Sequence, residues 1–438
     1  MFKVLHMKKL YLIVALLVSG FMLFPAIYAQ DYGVAYTYRT GTPDPVVQNL
    51  PRSIESYRSQ DPARYIQEIA SYIVSNSTDD FDKVKKVHDW IALNIKYDVA
   101  SFFSGNIPAQ TVVNVIGKGS AVCQGYSTVF KALCDAMEIQ CELVSGYGRG
   151  YGSSTFVIEN PTDSNHAWNK VKINGNWYLI DCTWDAGYVD GRNYKANYST
   201  GYLFLKPEFF IYQHFPDDKS QQLLSTPLSP ASFSSLPALE PVFFEIISVM
   251  NPDLQRINRL DGAEFALEFY QNPDVIISFN IYDENGSRQI QNATFTQKEG
   301  ELHRAYFSFP NAGNYLIRCF SRKPSDKTAS LIGEFGIIAS KGSTVKYPTQ
   351  YSNFDPDITI FNPLAMPLQH NVSYEFKLKV DKQFVAVIVD KQWNYLTANA
   401  DGIFSGIVAI PAGTKTVQVA ASDAKNKSYS TIVQYEIK

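Results

Sequence analysis

The chain has 438 residues, 39 Lys and Arg against 42 Asp and Glu, and a formal net charge of −3. That length predicts about three domains at roughly 100–200 residues each, and the lack of a basic cluster with interleaved aromatics excludes nucleic acid as a partner. Five Cys is an odd number, and four of them lie from Cys123 to Cys182, which argues against a disulfide scaffold while leaving one bridge among Cys134, Cys141 and Cys182 open.

Residues 1–29 read as a secretory signal, with Lys8 and Lys9 before an apolar run from Leu10 to Phe24 and Ala29 before a cut at Gln30. The run is short for a membrane span and no second one follows, so the mature chain is expected to be secreted or periplasmic, with no membrane span. Asp31 to Leu50, rich in Tyr, Thr and Pro, is expected to be an extended lead-in. From Asp61, with Pro62 in the first turn, Ile66, Ile69 and Ile73 keep helical spacing. Asp79 or Asp80 caps a second helix whose apolar stripe runs Val84, Val87, His88, Ile91 and Ile95, which makes His88 a core or groove histidine. Thr111 caps a short third helix.

Next comes Gly119-Ser-Ala-Val-Cys-Gln-Gly-Tyr126. Gly119 supplies a turn, Ser120 an N-cap, and Cys123 the third helical position, where unpaired amides and the helix dipole favour a thiolate. Tyr126, Phe130, Leu133, Cys134 and Met137 continue an apolar stripe with Cys123 at its head, facing the core side. Cys141 to Gly146 reads as a strand. Gly146, Gly148, Gly150 and Gly152 alternate after it, but no helix follows to complete a phosphate cradle. A mobile turn is expected there, with Ser153 to Ile158 strand-like.

Asn174-Gly175, between Val171-Lys-Ile and Asn176-Trp-Tyr-Leu-Ile, is a two-residue hairpin signal. Counting back pairs Ile173 with Asn176, Trp168 with Asp181 and His166 with Thr183, which puts His166, Trp168 and Asp181 on one face. Thiol, imidazole and carboxylate then form a nucleophile, base and orienting-acid set. No His-Glu-x-x-His, paired Cys-x-x-Cys or EF-hand spacing occurs, so neither metal nor cofactor is expected.

Ala121-Val-Cys-Gln-Gly-Tyr126, Val144-Ser-Gly146, His166-Ala-Trp168, Asp181-Cys-Thr-Trp184 and His214-Phe-Pro-Asp217 together resemble the transglutaminase-like superfamily, and within it the kyphoscoliosis-peptidase-like group. The resemblance implies an α+β papain-like catalytic domain with Cys123 as nucleophile, His166 as general base and Asp181 as the orienting carboxylate. It also makes Gln110 a candidate oxyanion donor, the part a Gln plays in papain-like enzymes. Trp168, Trp184 and Tyr126 are candidates to line the substrate cleft. Asp185 departs from the glycine expected after the Trp, and His214 is expected to order its Pro-containing loop.

The catalytic domain is expected over 30–224, followed by a Pro- and Ser-rich linker over 225–241 and two all-β Ig-like sandwiches over 242–340 and 341–438. Cys319 reads as a buried free thiol in the first sandwich. The resemblance, with the signal-like leader, leads to the expectation of a secreted cysteine peptidase working through a thioester, to whose cleft the two sandwiches would deliver a protein or cell-wall peptide. A crosslinking transglutaminase, or a binding scaffold with a retained triad, are the alternatives.

Overall fold

The structure, a computed structural model, describes residues 29–150, 153–157, 159–351, 354, 358–424 and 428–438, so all but the last residue of the expected signal segment lies outside the described residues. No helix among the described residues is long and apolar enough to cross a membrane. The chain falls into two compact units. One takes the described residues up to Ser145 together with His166–Pro207, and the other takes Gly146–Asn165 with Glu208–Lys438.

The first unit is built around helices whose starts are chemically marked. Helix α1, Pro62–Ser75, has Pro at its first position and the Asp61 side chain accepting from Arg64 N, and it buries Tyr65, Ile66, Ile69 and Ile73. Helix α2, Asp80–Asn94, is capped by Asp79, whose side chain accepts from Asp82 N. The third predicted helix spans Val112–Lys118 under a Thr111 cap. Helix α3, Cys123–Ala136, carries Tyr126, Phe130, Leu133 and Cys134 into the core shared with α1 and α2. Burying each such side chain contributes roughly 1.5–3 kcal/mol. The lead-in is not extended: Ala29–Thr37 and Pro45–Gln48 are helical, the latter capped by the Asp44 carboxylate on Val46 N. An Asp-Pro pair starts a helical turn there, which the Tyr- and Thr-rich composition concealed.

The sheet follows. Strand β1 is Cys141–Gly148, β2 His166–Ile173, β3 Asn176–Ile180 and β4 Leu203–Leu205, in the order β4-β3-β2-β1. The β2–β3 turn is of the primed kind, with φ of 50° at Asn174 and 83° at Gly175, and Ile173 pairs with Asn176 as counted. The ladder runs back only to Asn169 and Ile180. Thr183 does not face His166 from a strand, because helix α4, Cys182–Ala186, begins there with Asp181 as its N-cap.

In the second unit, Gly146–Gly148 pair with His214–Pro216. His214 is thus a buried strand residue, stacked 4.0 Å from Phe210. Ser153–Val157 is not strand-like. Arg256 takes the carbonyls of Ser154, Thr155 and Val157, which a ladder would have used. Arg149 and Arg256 both pair with the Glu159 carboxylate, and all three side chains are almost wholly buried. The segment expected as a linker is also folded. Ser229 caps a helix over Pro230–Ser235, Phe233 is fully buried beneath the Arg149 guanidinium, and Ala238–Leu239 pair with Gly333 and Glu334.

Two sandwiches complete this unit. Sheets containing Ile276–Asp283, Gly313–Arg322 and Ser330–Ala339 on one side, and Glu264–Gln271 and Leu302–Ser308 on the other, enclose Phe269, Phe279, Phe307 and Ile317. A second pair of sheets, containing Phe384–Val389, Val417–Ser422 and Ser430–Tyr435 against Val372–Lys379 and Ile403–Ile410, encloses Phe376, Val387, Val419 and Tyr435. Cys319 is buried and free, and the other four cysteines are free as well, so none of Cys134, Cys141 and Cys182 is bridged.

Candidate active site

Cys123 is the first residue of α3, not the third. Ser120 and Ala121 pair in parallel with Lys96 and Tyr97, so the chain stays extended through Val122, which stands at the N-cap with no side-chain cap. This sets the thiol two residues closer to the helix start than expected, still within the first turn, whose amides lack intrahelical acceptors. Gln110 substitutes for a cap: its Oε1 accepts from Val122 N at 3.1 Å, while its Nε2 donates to Pro108 O at 2.8 Å. It braces the residue before the nucleophile with one donor committed elsewhere.

The thiol is in hydrogen-bond contact with His166, and the Ala167 N–H also reaches it. His166 Nε2 lies 2.6 Å from Asp181 Oδ2. With Nε2 so committed, Nδ1 is the nitrogen left for the thiol. The other Asp181 oxygen accepts from Thr183 N at 2.8 Å and Trp184 N at 3.3 Å. The N-terminus of α4 therefore holds one side of the carboxylate and the imidazole holds the other, which fixes the tautomer and the ring plane. Trp184 stacks on the His166 ring at 5.0 Å and 25°, with Trp168 on the ring at 6.0 Å and 31°.

These contacts set the protonation states. Burial pushes the Cys123 thiol up, but the hydrogen bond and charge of His166 and the Ala167 N–H more than offset it, so the thiol sits below its ordinary value. Burial pushes His166 down, and the charge and hydrogen bond of Asp181, with the thiol's help, raise it to about 10. A thiolate beside an imidazolium is the resting arrangement this environment favours.

The three cleft candidates fare differently. Trp184 is half-buried against the imidazole. Tyr126 is buried, with its hydroxyl donating to Ile95 O at 2.6 Å, and Trp168 is likewise buried; both support the site from beneath instead of lining a cleft. Two features escaped the sequence reading. Tyr97, paired beside Ala121, stands within electrostatic reach of Cys123 and Asp181. Asp185 is fully buried, with Oδ2 3.0 Å from His88 Nε2. Its departure from the expected glycine was the signal.

Residues 67–182, which hold all three groups, match the family profile of the Transglutaminase-like superfamily. The chain carries a domain of that superfamily over this stretch. It is similar to the kyphoscoliosis peptidase of Mus musculus, 32% identical over 61% of this chain and 40% of that protein. The Homo sapiens kyphoscoliosis peptidase is 27% identical over 64% and 42%. Hillarin of Drosophila melanogaster is 24% identical over 42% and 24%. The matched part spans about two fifths of the length of either kyphoscoliosis peptidase. Among solved structures, a TGase is matched with 20% identity and a TM-score of 0.22 over 36% of this chain and 38% of that one. A protein from Cytophaga hutchinsonii described as a cysteine protease candidate has 27% identity and a TM-score of 0.22 over 32% and 45%.

Proposed function

We propose that this transglutaminase-like protein is an exported cysteine hydrolase that cleaves peptide or isopeptide bonds through a thioester on Cys123. The observation that carries the reading is the single His166 ring joining the Cys123 thiol to the Asp181 carboxylate, 2.6 Å from its Nε2. In the first half-reaction the Cys123 thiolate adds to the substrate carbonyl, whose oxygen turns to the helix-start amides of α3. The His166 proton passes to the leaving amine, the C–N bond breaks, and the acyl group stays on sulfur. In the second, water attacks the thioester while His166 takes its proton, and the acid leaves as the thiol re-forms its pair with His166. Asp181 keeps the imidazolium oriented throughout. Neither metal nor cofactor has a part in these steps, and activity should persist in excess chelator.

Transglutamination would share the first half-reaction and differ only in an amine replacing water. Hydrolysis is the reading that an export-like leader supports, with Lys8-Lys9 before an apolar run and Ala29 before Gln30: an exported chain would work in bulk water, and a protein or cell-wall peptide is the substrate we propose. The test offers a glutamine-containing peptide library with a labelled primary amine, reads free product and incorporated label together, and uses Cys123→Ala as the blank. Product release should exceed incorporation. Faster incorporation would reassign the protein as a transglutaminase, and equality with Cys123→Ala in both channels would leave a binding scaffold.

A further inference from the structure

A second, fully buried histidine–carboxylate cluster, linked to Asp181 through the short helix α4 that Asp181 caps, has no part in the proposed chemistry. His88, on α2, has Nδ1 2.9 Å from Asp89 Oδ1 and Nε2 3.0 Å from Asp185 Oδ2, and neither His88 nor its two acids is exposed. Lys85 bonds the other Asp89 oxygen, and Tyr198 donates to Asp89 Oδ1 at 2.5 Å. Lys85, His88, Asp89 and Asp185 thus balance two positive against two negative groups. Asp185 belongs to α4, the same five-residue helix whose first amides hold Asp181. It is further tied by the Ser199 hydroxyl and by Tyr202 N at 2.9 Å, while Tyr202 O accepts from Asp181 N at 3.3 Å. One peptide segment therefore touches both aspartates.

We propose that His88 is a positioning residue of the catalytic centre, acting through Asp185 to hold α4 and so to aim the Asp181 carboxylate at His166. This deepens the cysteine-nucleophile reading and rests on it. A helix of five residues cannot hold its own orientation by backbone bonds alone. Beside its bonds to Ser199 and Tyr202, Asp185 gives α4 a directional tie to α2 through His88. A displacement of the carboxylate by a fraction of an ångström weakens the 2.6 Å contact, and with it the imidazolium that keeps Cys123 ionised.

Two substitutions separate positioning from bulk stability. In His88→Gln the amide nitrogen replaces Nε2 and keeps the bond to Asp185; in His88→Asn it replaces Nδ1, keeps Asp89 and loses Asp185. Both remove the same buried charge, so both should lower the thermal midpoint alike. The discriminating readout is the rate of iodoacetamide alkylation at Cys123 against pH, located by peptide mapping. His88→Asn should slow labelling at pH 6 about tenfold and move the acid limb up by about one unit, with His88→Gln within about twofold of wild type. Equal profiles for the two variants overturn the proposal. Where His88→Asn does not fold, Ser199→Ala, which removes a donor to Asp185 at a half-buried position, should slow labelling about threefold, and an unchanged profile overturns it equally. A wild-type protein whose Cys123 labels no faster than its other thiols sinks the nucleophile reading and this proposal together, whereas normal wild-type labelling with an unmoved His88→Asn profile sinks this proposal alone.

Discussion

Cys123 and His166 pull each other's titrations apart, and this fixes the pH window of the chemistry. The thiol is depressed, so its thiolate is lost as pH falls through that lowered value; the imidazole is raised to about 10, so the imidazolium is lost only as pH rises through about 10. The stability that His166 adds is fully present below its ordinary value of 6.5 and disappears toward pH 10. Iodoacetamide should therefore label Cys123 at pH 6 ahead of Cys134, Cys182 and Cys319, whose burial pushes them up, and no plateau before pH 8 would be expected if the pair were neutral. Cys123, His166 and Asp181, which the structure brings together, were singled out from type and context, since a Cys at a helix start, a His two residues before a Trp and an Asp beyond an Asn-Gly turn each carry a local signal. The roles of Asp185 and Tyr97 were not legible there, because they depend on partners remote in sequence, His88 for the one and Cys123 for the other.

Helix α3 shows how an element's seating can be written in a single missing side chain. A Cβ at Gly125 would come within 2.5 Å of both Ala121 Cβ and Gln110 Oε1, and 2.9 Å from Val115 Cγ2. Gly125→Ala should consequently shift Gln110 off Val122, lower stability by about 1–3 kcal/mol, and slow Cys123 labelling; urea denaturation and labelling on one preparation check both. A stable variant with wild-type labelling would mean that Gln110 has no part in placing the nucleophile. The helix starts at Asp61, Asp79 and Thr111 were readable to within a residue, and so was the Asn174-Gly175 hairpin, whereas the short helices capped by Asp44 and Asp181 were not. The start of α3 was misread because Ser120, a good cap by type, is taken into a two-residue parallel ladder with Lys96, a non-local pairing that periodicity does not register.

Across the whole chain, the boundary read from composition at 224–225 differs from the one the packing makes. The loop before His166 belongs with the β-rich unit, because Arg149 and Arg256 share Glu159 and take carbonyls from Phe233, Leu236 and the loop itself. Glu159→Gln would leave two buried guanidiniums without a counter-charge and should cost about 3–5 kcal/mol, read as a lowered unfolding midpoint. A chain cut after Leu224 should likewise be unable to order residues 146–165, seen as rapid proteolysis there; a protease-resistant 30–224 fragment would show the clamp to be dispensable. The same clamp sets an order of assembly. Arg256 bonds Thr155 across 101 residues of sequence, and Glu334 accepts from the Thr155 hydroxyl across 179. On the ribosome, the segment leading into His166 has no stable place until the strands of the first sandwich have emerged, so the chain grows from Cys123 to Glu334 with its thiol already synthesised and its loop unfinished.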